Sequence, residues 1–565
     1  MKHLTAETQK SQGAHYTPPE LAQFVAQQIV ATWLPAYSDS GDGTAPLTIL
    51  DPAVGGGELL EAIHSELPND LRAVARLVGL DNDLIAVENA RARLSSLSRN
   101  TVVTEGDFLA SLTGSQPDLF GKEEELGDAD LIIANPPYVR TQVLGASKAQ
   151  ALATKFGLGG RVDLSFPFIL GIVEKLRSGG VAGIITSNRF LSTRAGASLR
   201  ERLRGDGDVI HIWDLGDTKL FEAAVLPCVL IVRKSPPSGR TQYTSVYSVS
   251  PQERRPDPSK LFSHIAGGTD GVVELGNGFS KYEFKRGQLE VGDDLGAVWK
   301  LRNGKSSAWA EKVKRNTWKT LGELTKVRVG VKTTADSVFI RSDWKSECPN
   351  GLPENLRPLI THHLAGRFRG QHPEKKILYT HETVDGKRRP IELQRYPNTT
   401  EYLKRHQESL KSRKYVEKAG REWFEIWVPQ EPSAWDHPKI VFKDITVKPT
   451  FWLETEGSVV NGDCYWFAFG NELNDLHWLT LGVFNSTFIE QFYDTHFANK
   501  LYSGRRRFMT QYVSEFPLPN PESRHSQQIV KIAQALFDCP EREGELIGIL
   551  DNTVADAFGL SVKKI

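Results

Sequence analysis

The chain has 565 residues, 39% of them apolar and 24% charged, with Lys+Arg and Asp+Glu balanced at 69 each. That length is too great for one ordinary core and predicts two or three domains, while the zero net charge announces no nucleic-acid partner at the level of the whole chain. Cys228, Cys348, Cys464 and Cys539 stand far apart with no CxxC pair, which argues against a zinc site or a disulfide framework and fits a reducing cytoplasm. The first twenty residues have no apolar signal-like core, and no run is long enough to span a membrane.

From the N-terminus to about residue 235, strand-like apolar runs alternate with helical patterns. The strand candidates are "LTIL" (47–50), "RLVGLD" (76–81), "TVVT" (101–104), "DLIIAN" (130–135), "VAGIITS" (181–187), "VIHIWDL" (209–215) and "PCVLIVR" (227–233). "ELAQFVAQQIVATWL" and "DLIAVENARARLSSL" are helical patterns between them. This alternation predicts an α/β fold with a mostly parallel sheet covered on both faces. The last two runs lie close together and allow an antiparallel pair at one edge.

"LTILDPAVGGGELLEAIHSEL" reads as strand, glycine-rich turn and helix. Gly55, Gly56 and Gly57 let the backbone approach a ligand without Cβ interference, and the helix start that follows suits an anionic group. Such a turn serves any nucleotide, or only tight packing. Asp81 sharpens it: a carboxylate at the next strand end can accept from both hydroxyls of a ribose. The chain has neither GxGxxG nor GxxxxGK[ST], so a nucleoside with a carboxylate and no phosphate fits better, and S-adenosylmethionine is such a molecule. The alternative for Asp81 is a helix N-cap. After the third run, Asp107 could accept from an adenine amine and Phe108 could stack on the ring; the rival is a helix cap followed by a core residue.

"DADLIIANPPYVR" (128–140) ends a buried run in Asn135-Pro136-Pro137-Tyr138. An exocyclic amine on a heteroaromatic ring is a poor nucleophile until two fixed acceptors hold its two N–H bonds. The Asn135 side-chain oxygen can be one and the Pro136 carbonyl the other. Pro136 has no N–H to compete, and Pro137 restricts it to extended backbone. Tyr138 offers a flat face for a base, a contact worth ~1–3 kcal/mol. A rigid turn closing a strand is the bland alternative.

"RKSPPSGRTQ" (233–242) reads as a polar boundary. Beyond it the texture changes: ten of the twelve tryptophans lie past residue 290, and residues 361–425 hold fifteen Lys/Arg against nine Asp/Glu. A solvated face explains such a run as readily as a polyanion does. "SQQIVKIAQALFDC" and "GELIGILDNTVADAFGL" read as two closing helices.

These motifs, in this order, resemble the gamma class of amino-methyltransferases, the adenine-N6 DNA methyltransferases of the TaqI and Eco57I type. "GAHYTPPELAQFV" resembles that family's N-terminal motif, "DPAVGGGELL" its glycine-rich motif, "GLDND" its ribose motif, "EGDF" its adenine motif and "NPPY" its catalytic motif. "LFEAAVLPCVLIVRK" resembles its last motif, in which an aromatic flanks a flipped base; Phe221 stands there. The resemblance implies a Rossmann-like class I methyltransferase sheet, mostly parallel with an antiparallel edge strand, followed by an α+β target-recognition domain and a helical tail. It implies S-adenosylmethionine as cofactor, against Tyr16, Thr17, Pro18, Asp51, Ala53, Gly55, Gly57, Asp81, Asn82, Asp107, Phe108, Asn135 and Pro137. It implies catalysis through Asn135, Pro136, Pro137, Tyr138 and Phe221, with no metal.

Val54 departs from the family's Cys, Gly56 from its small Ser or Ala, and Glu58 from a neutral residue; Glu58 is expected to turn away from the cofactor's carboxylate. The expected domains are 1–235 catalytic, 236–320 connecting, 321–520 target recognition, and 521–565 closing helices. The C-terminal match ("ELTKVRVGVKTTADSVFI", "GRRRFMTQYVSEFPLP") is diffuse. It supports DNA contacts from Arg505, Arg506 and Arg507 and from Lys387, Arg388 and Arg389. The acidic stretch 118–130 is expected to point away from phosphates. The implied partner is double-stranded DNA, met by a cytoplasmic monomer of a bacterial cell that sits on the nucleoid when acting, with or without a separately encoded endonuclease or defence subunits.

Four rivals stand beside this reading, one of them a DNA-binding subunit without activity, against which the intact NPPY and glycine-rich motifs argue. Protein-glutamine N5-methyltransferases share NPPY but are much shorter. Cytosine-N4 enzymes mostly begin the motif with Ser. A bifunctional restriction–modification enzyme would place a nuclease ahead of Thr17, where little chain is left; Asp257, Glu283 and Lys285 imitate a PD…ExK signature in a region expected to be a linker.

Overall fold

The apolar runs form the middle of one large sheet. In the computed structural model the described residues are 17–40, 47–113, 128–138, 146–158, 163–221, 226–249, 255–276, 280–290, 294, 296–302, 304–497 and 505–560. Tyr16, and residues 118–127 of the acidic stretch, lie outside them.

The sheet strands are β1 (Thr48–Asp51), β2 (Arg76–Asp81), β3 (Thr101–Glu105), β4 (Ala129–Ala134), β5 (Leu176–Ser187), β6 (Asp208–Asp214), β7 (Pro227–Arg233), β8 (Gln242–Ser248), β9 (Gly271–Glu274), β10 (Lys281–Glu290) and β11 (Lys300–Arg302). Their order is β11-β10-β8-β6-β7-β5-β4-β1-β2-β3, with β9 on β10. β1 to β5 pair in parallel, and β7 is antiparallel to both β5 and β6. β6 pairs β8 in parallel. The parallel strands therefore all end at one edge, where open α/β sheets bind ligands.

Alternating side chains build a core on each face. Ile49, Leu131, Ile133 and Val181 pack on one side with Leu21, Val25 and Ile29 of helix Pro19–Ser40. Leu50, Ile132, Ala134 and Ala182 pack on the other with Ile169 and Val173 of helix Ser165–Lys175. Each buried Leu, Ile or Val side chain here contributes roughly 1.5–3 kcal/mol.

Two expectations are corrected. The antiparallel strand β7 is not at an edge: it lies between β5 and β6. The region 236–320 is not a connector: β8 to β11 extend the catalytic sheet, and the division falls near residue 304. "QYTSVYS" (242–248) has the aromatic and β-branched residues of a strand but no apolar run, so the Pro/Gly segment before it read as a domain end.

The chain splits into two compact units, Met1–Gly304 with Phe497–Gly504, and Lys305–His496 with Arg505–Ile565. In the second, Lys439–Lys443 is the central strand of a five-stranded sheet, antiparallel to Phe451–Glu454 and Cys464–Phe467. Trp344, Trp435, Trp452 and Trp466 fill its core at 3% exposure or less, so most of this aromatic richness is packing. The closing helices Arg524–Asp538 and Glu543–Ala557 pack on each other and on Asp475–Phe484, within this unit. No described helix is long and apolar enough to cross a membrane.

Candidate active site

The ends of β1, β2 and β4 bring the sequence-predicted residues together. Asp51 closes β1, wholly buried; its Oδ1 accepts from Ala53 N at 3.0 Å, and its Oδ2 has no hydrogen-bond partner among the described residues. Burial pushes the Asp51 carboxyl well above its ordinary range, and the charges of Asp81 and Glu58 push the same way. Asp81 closes β2 and ties the two turns: its Oδ2 accepts from Gly55 N at 2.9 Å and its Oδ1 from Asp83 N at 3.0 Å. Burial also pushes the Asp81 carboxyl above its ordinary pKa. The helix cap is Asp83, which accepts from Ile85 N, so Asp81 is spared that task. Asn82 is exposed beside it.

Gly55 has φ +50, and among the described residues an added Cβ would meet nothing within 4 Å, so the backbone here borders space they leave open. Gly57 caps helix Glu58–Glu66. Val54 packs where Gly79 leaves room, since a Cβ on Gly79 would stand 2.9 Å from it. Glu58 is held by Arg93 at 3.0 Å, and Arg93 also binds Glu61 at 2.8 Å. The Glu58 carboxylate lies over Gly56, where a Cβ would come within 2.6 Å of its Oε1.

Asn135 follows β4. Its Nδ2 donates to Thr17 Oγ1 at 3.0 Å, and its Oδ1 accepts from Tyr138 Oη at 2.7 Å. Thr17, 6% exposed, thereby joins the N-terminal segment to the turn after β4. The Pro18 carbonyl starts helix Pro19–Ser40 by accepting from Leu21 N and Ala22 N. Pro136 is buried and Pro137 half-buried. Enclosure raises the Tyr138 phenol well above its ordinary value, with Cys228 and Asp163 adding to the effect.

Three predicted residues take other work. Asp107 is a helix cap, its Oδ1 accepting from Leu109 N and Ala110 N; its Oδ2 stands 3.5 Å from Lys148 Nζ. Phe108 is 1% exposed and packs on Phe168 with ring centroids 5.4 Å apart, so the core has claimed the ring expected to stack on adenine. Phe221 is 6% exposed in the core cluster that holds Trp213 and Leu220. For Asp107 the local pattern suited a helix cap, and for Phe108 and Phe221 a core ring, as well as a ligand contact.

The basic candidates divide. Lys387, Arg388 and Arg389 are exposed on hairpin His381–Val384/Lys387–Pro390. Arg505 is exposed. Arg506 is not a free cation: it is 7% exposed, with Nε and Nη2 on Asp494 at 2.8 and 2.9 Å and Nη1 3.6 Å from Glu490. Arg507 pairs with Asp444 at 3.1 Å. The Asp257, Glu283 and Lys285 imitation of a nuclease dissolves into a helix cap on Ser259 N and Lys260 N and a Glu283–Lys285 ion pair of 2.9 Å.

The sequence reading missed a buried polar cluster at the same edge. Asp214, ending β6, accepts from Asn188 Nδ2 at 3.0 Å, Tyr247 Oη at 2.7 Å and Tyr243 Oη at 3.2 Å. Polar residues ending the apolar runs "VAGIITSN" and "VIHIWD" were its only signal.

A family model described as Eco57I restriction-modification methylase matches residues 76–221, and one described as TaqI-like C-terminal specificity domain matches 384–518. The type II methyltransferase M.BanIII of Aneurinibacillus aneurinilyticus is 38% identical over 98% of either chain. The type II methyltransferase M.BstVI of Geobacillus stearothermophilus is 24% identical over 100% of this chain and 98% of that one. Among solved structures, the type IIL restriction-modification enzyme MmeI in complex with DNA shares the fold, with TM-score 0.62 and 14% identity over 100% of this chain and 78% of that one. The glycine-rich turn, the acidic strand ends and the Asn135 turn thus sit on a chain that belongs to the type II restriction-modification methyltransferases of the Eco57I and TaqI kind.

Proposed function

We propose that this chain transfers a methyl group from S-adenosylmethionine to N6 of an adenine flipped out of duplex DNA. The observation that carries this is the Asn135 amide, pinned by Thr17 on one side and Tyr138 on the other at the end of β4.

The residues at the ends of β1 and β2 fit the cofactor. The unpartnered Asp51 Oδ2 is a buried acceptor awaiting a donor, which an ammonium would satisfy. The open space at Gly55 admits a ligand where a Cβ would intrude. Asp81 keeps acceptor capacity on both oxygens for ribose hydroxyls. When bound, the cofactor supplies an electrophilic methyl on a sulfonium.

The chain's own residues prepare the nucleophile. The Asn135 oxygen has a second lone pair beyond the one facing Tyr138, and with the Pro136 carbonyl it gives the adenine amine two acceptors. Holding both N–H bonds directs the nitrogen lone pair away from them. Fixed dipoles of this kind need no reorganisation during reaction and no strong general base. Tyr138 is the ring on which the flipped base lies, offsetting part of the few kcal/mol that extrusion costs.

The test is Asn135→Ala. Transfer to unmodified DNA should be lost while cofactor binding, measured by calorimetry, persists. Undiminished turnover would sink the assignment.

A further inference from the structure

The buried cluster around Asp214 lies at the catalytic edge, on the strand that ends where the Leu215–Phe221 turn begins. Its carboxylate accepts four hydrogen bonds: from Asn188 Nδ2, Tyr243 Oη, Tyr247 Oη and, at 3.1 Å, Gly216 N. Asn188 Nδ2 also reaches Tyr247 Oη at 3.2 Å, so the end of β5 is joined to β8 across β6 and β7. A second carboxylate closes the other side of the turn: Asp217, 5% exposed, accepts from Ser248 N at 2.7 Å.

The turn itself is over-determined. Gly216 has φ +50, and a Cβ there would stand 2.2 Å from the Val246 carbonyl oxygen. Lys219, which is not glycine, is held at φ 53. Non-glycine residues persist at positive φ only where their surroundings enforce it, and such strain gathers at functional sites. Leu215 N is further tied to the Pro227 carbonyl at 2.9 Å, at the start of β7. Cys228, next along, pairs in register with Asp214 on one side and Thr186 on the other, and is one of the two groups that raise the Tyr138 phenol.

Burying a carboxylate costs several kcal/mol unless it is fully hydrogen-bonded. A bare β6 end has no need of it. Two of its partners, Tyr243 and Tyr247, come from β8, a strand outside the motif-bearing 1–235 segment. We propose that the Asn188–Asp214–Tyr243–Tyr247 cluster is a positioning device for the target base: it clamps the Leu215–Phe221 turn, whose Phe221 ring is anchored in the core, against β8, and so fixes the chain after β6 relative to the Asn135–Tyr138 turn that takes the base. The inference rests on the base-flipping methyl-transfer reading above. Tyr247 is a positioning residue that acts through the turn and touches neither base nor cofactor.

The experiment uses the full chain and unmethylated genomic DNA, with Tyr247→Phe, Phe221→Ala and the double variant. Tyr247→Phe removes one hydroxyl from a charge-assisted bond and leaves the ring volume. It should raise KM for DNA about fivefold to tenfold, with cofactor affinity within about twofold of wild type, because one such bond is worth about one decade. The double variant should be no worse than Phe221→Ala alone, since both act on one element. Wild-type KM for DNA in folded Tyr247→Phe overturns the proposal, as do effects of the two substitutions that add. If the wild-type enzyme methylates no DNA, the underlying reading fails first, and the variants are not needed to show it.

Discussion

The Tyr138 hydroxyl donates to Asn135 Oδ1 at 2.7 Å while Thr17 Oγ1 accepts from the same amide at 3.0 Å, so the Asn135 amide is held from both ends. The two halves of Tyr138 thereby have separate tasks. Tyr138→Phe keeps the ring and frees the amide oxygen; Tyr138→Ala removes the stacking face. Steady-state kinetics on unmodified DNA should show Tyr138→Phe within about tenfold of wild type. Tyr138→Ala should lose roughly tenfold to a hundredfold in kcat/KM, matching ~1–3 kcal/mol of stacking. Equal losses in both would assign the hydroxyl, and not the ring, to the base.

Gly55 separates fold from site. Its φ of +50 makes Gly55→Ala cost about 1 kcal/mol of stability, but the new methyl enters space open at the end of β1. Thermal unfolding should therefore drop by a few degrees, whereas cofactor affinity by calorimetry should fall at least tenfold. Unchanged affinity would remove the glycine-rich turn from the cofactor site.

Asp214 makes stability depend on pH in a definite direction. Burial raises its pKa from 3.8 to about 6. The folded chain therefore holds this proton where the unfolded chain has released it, and the associated stability is present below about pH 4 and lost as pH rises to about 6. The stability difference between wild type and Asp214→Asn, from denaturant melts, should shift against wild type by ~2–3 kcal/mol from pH 4 to 6 and stay level above. A difference independent of pH would show that Asp214 titrates normally.

The arginines of the second unit divide by pairing. Arg506→Ala takes the guanidinium from Asp494 and the half-buried Glu490 and should destabilise by ~3–5 kcal/mol. Arg389→Ala, on the exposed hairpin, should leave stability unchanged and reduce the salt dependence of DNA binding by about one counterion. Urea melts and binding titrations across salt concentrations check both. A stable Arg506→Ala with a shallower salt slope would reverse the division.

The catalytic sheet was legible because its strands are apolar runs and its chemistry sits at their ends. Asn135 and Asp81 could be read from the residues that follow each run. The chemistry of Asp107, Phe108 and Phe221 could not, since a cap, a core ring and a ligand contact share one local pattern. β8 was missed because Thr, Ser and Tyr carry its strand character without apolar continuity. The role of Arg506 was hidden for another reason: three consecutive arginines look alike until Asp494, 12 residues from Arg506, and Asp444, 63 residues from Arg507, take two of them. Buried charge pairs are tertiary facts, with no local signature.

The central claim is the target atom. The full chain should be incubated with methyl-labelled S-adenosylmethionine and unmodified duplex DNA, and the DNA digested to nucleosides for mass spectrometry. Label is expected in N6-methyladenine alone. Label in N4-methylcytosine, or DNA that acquires no label, would contradict it.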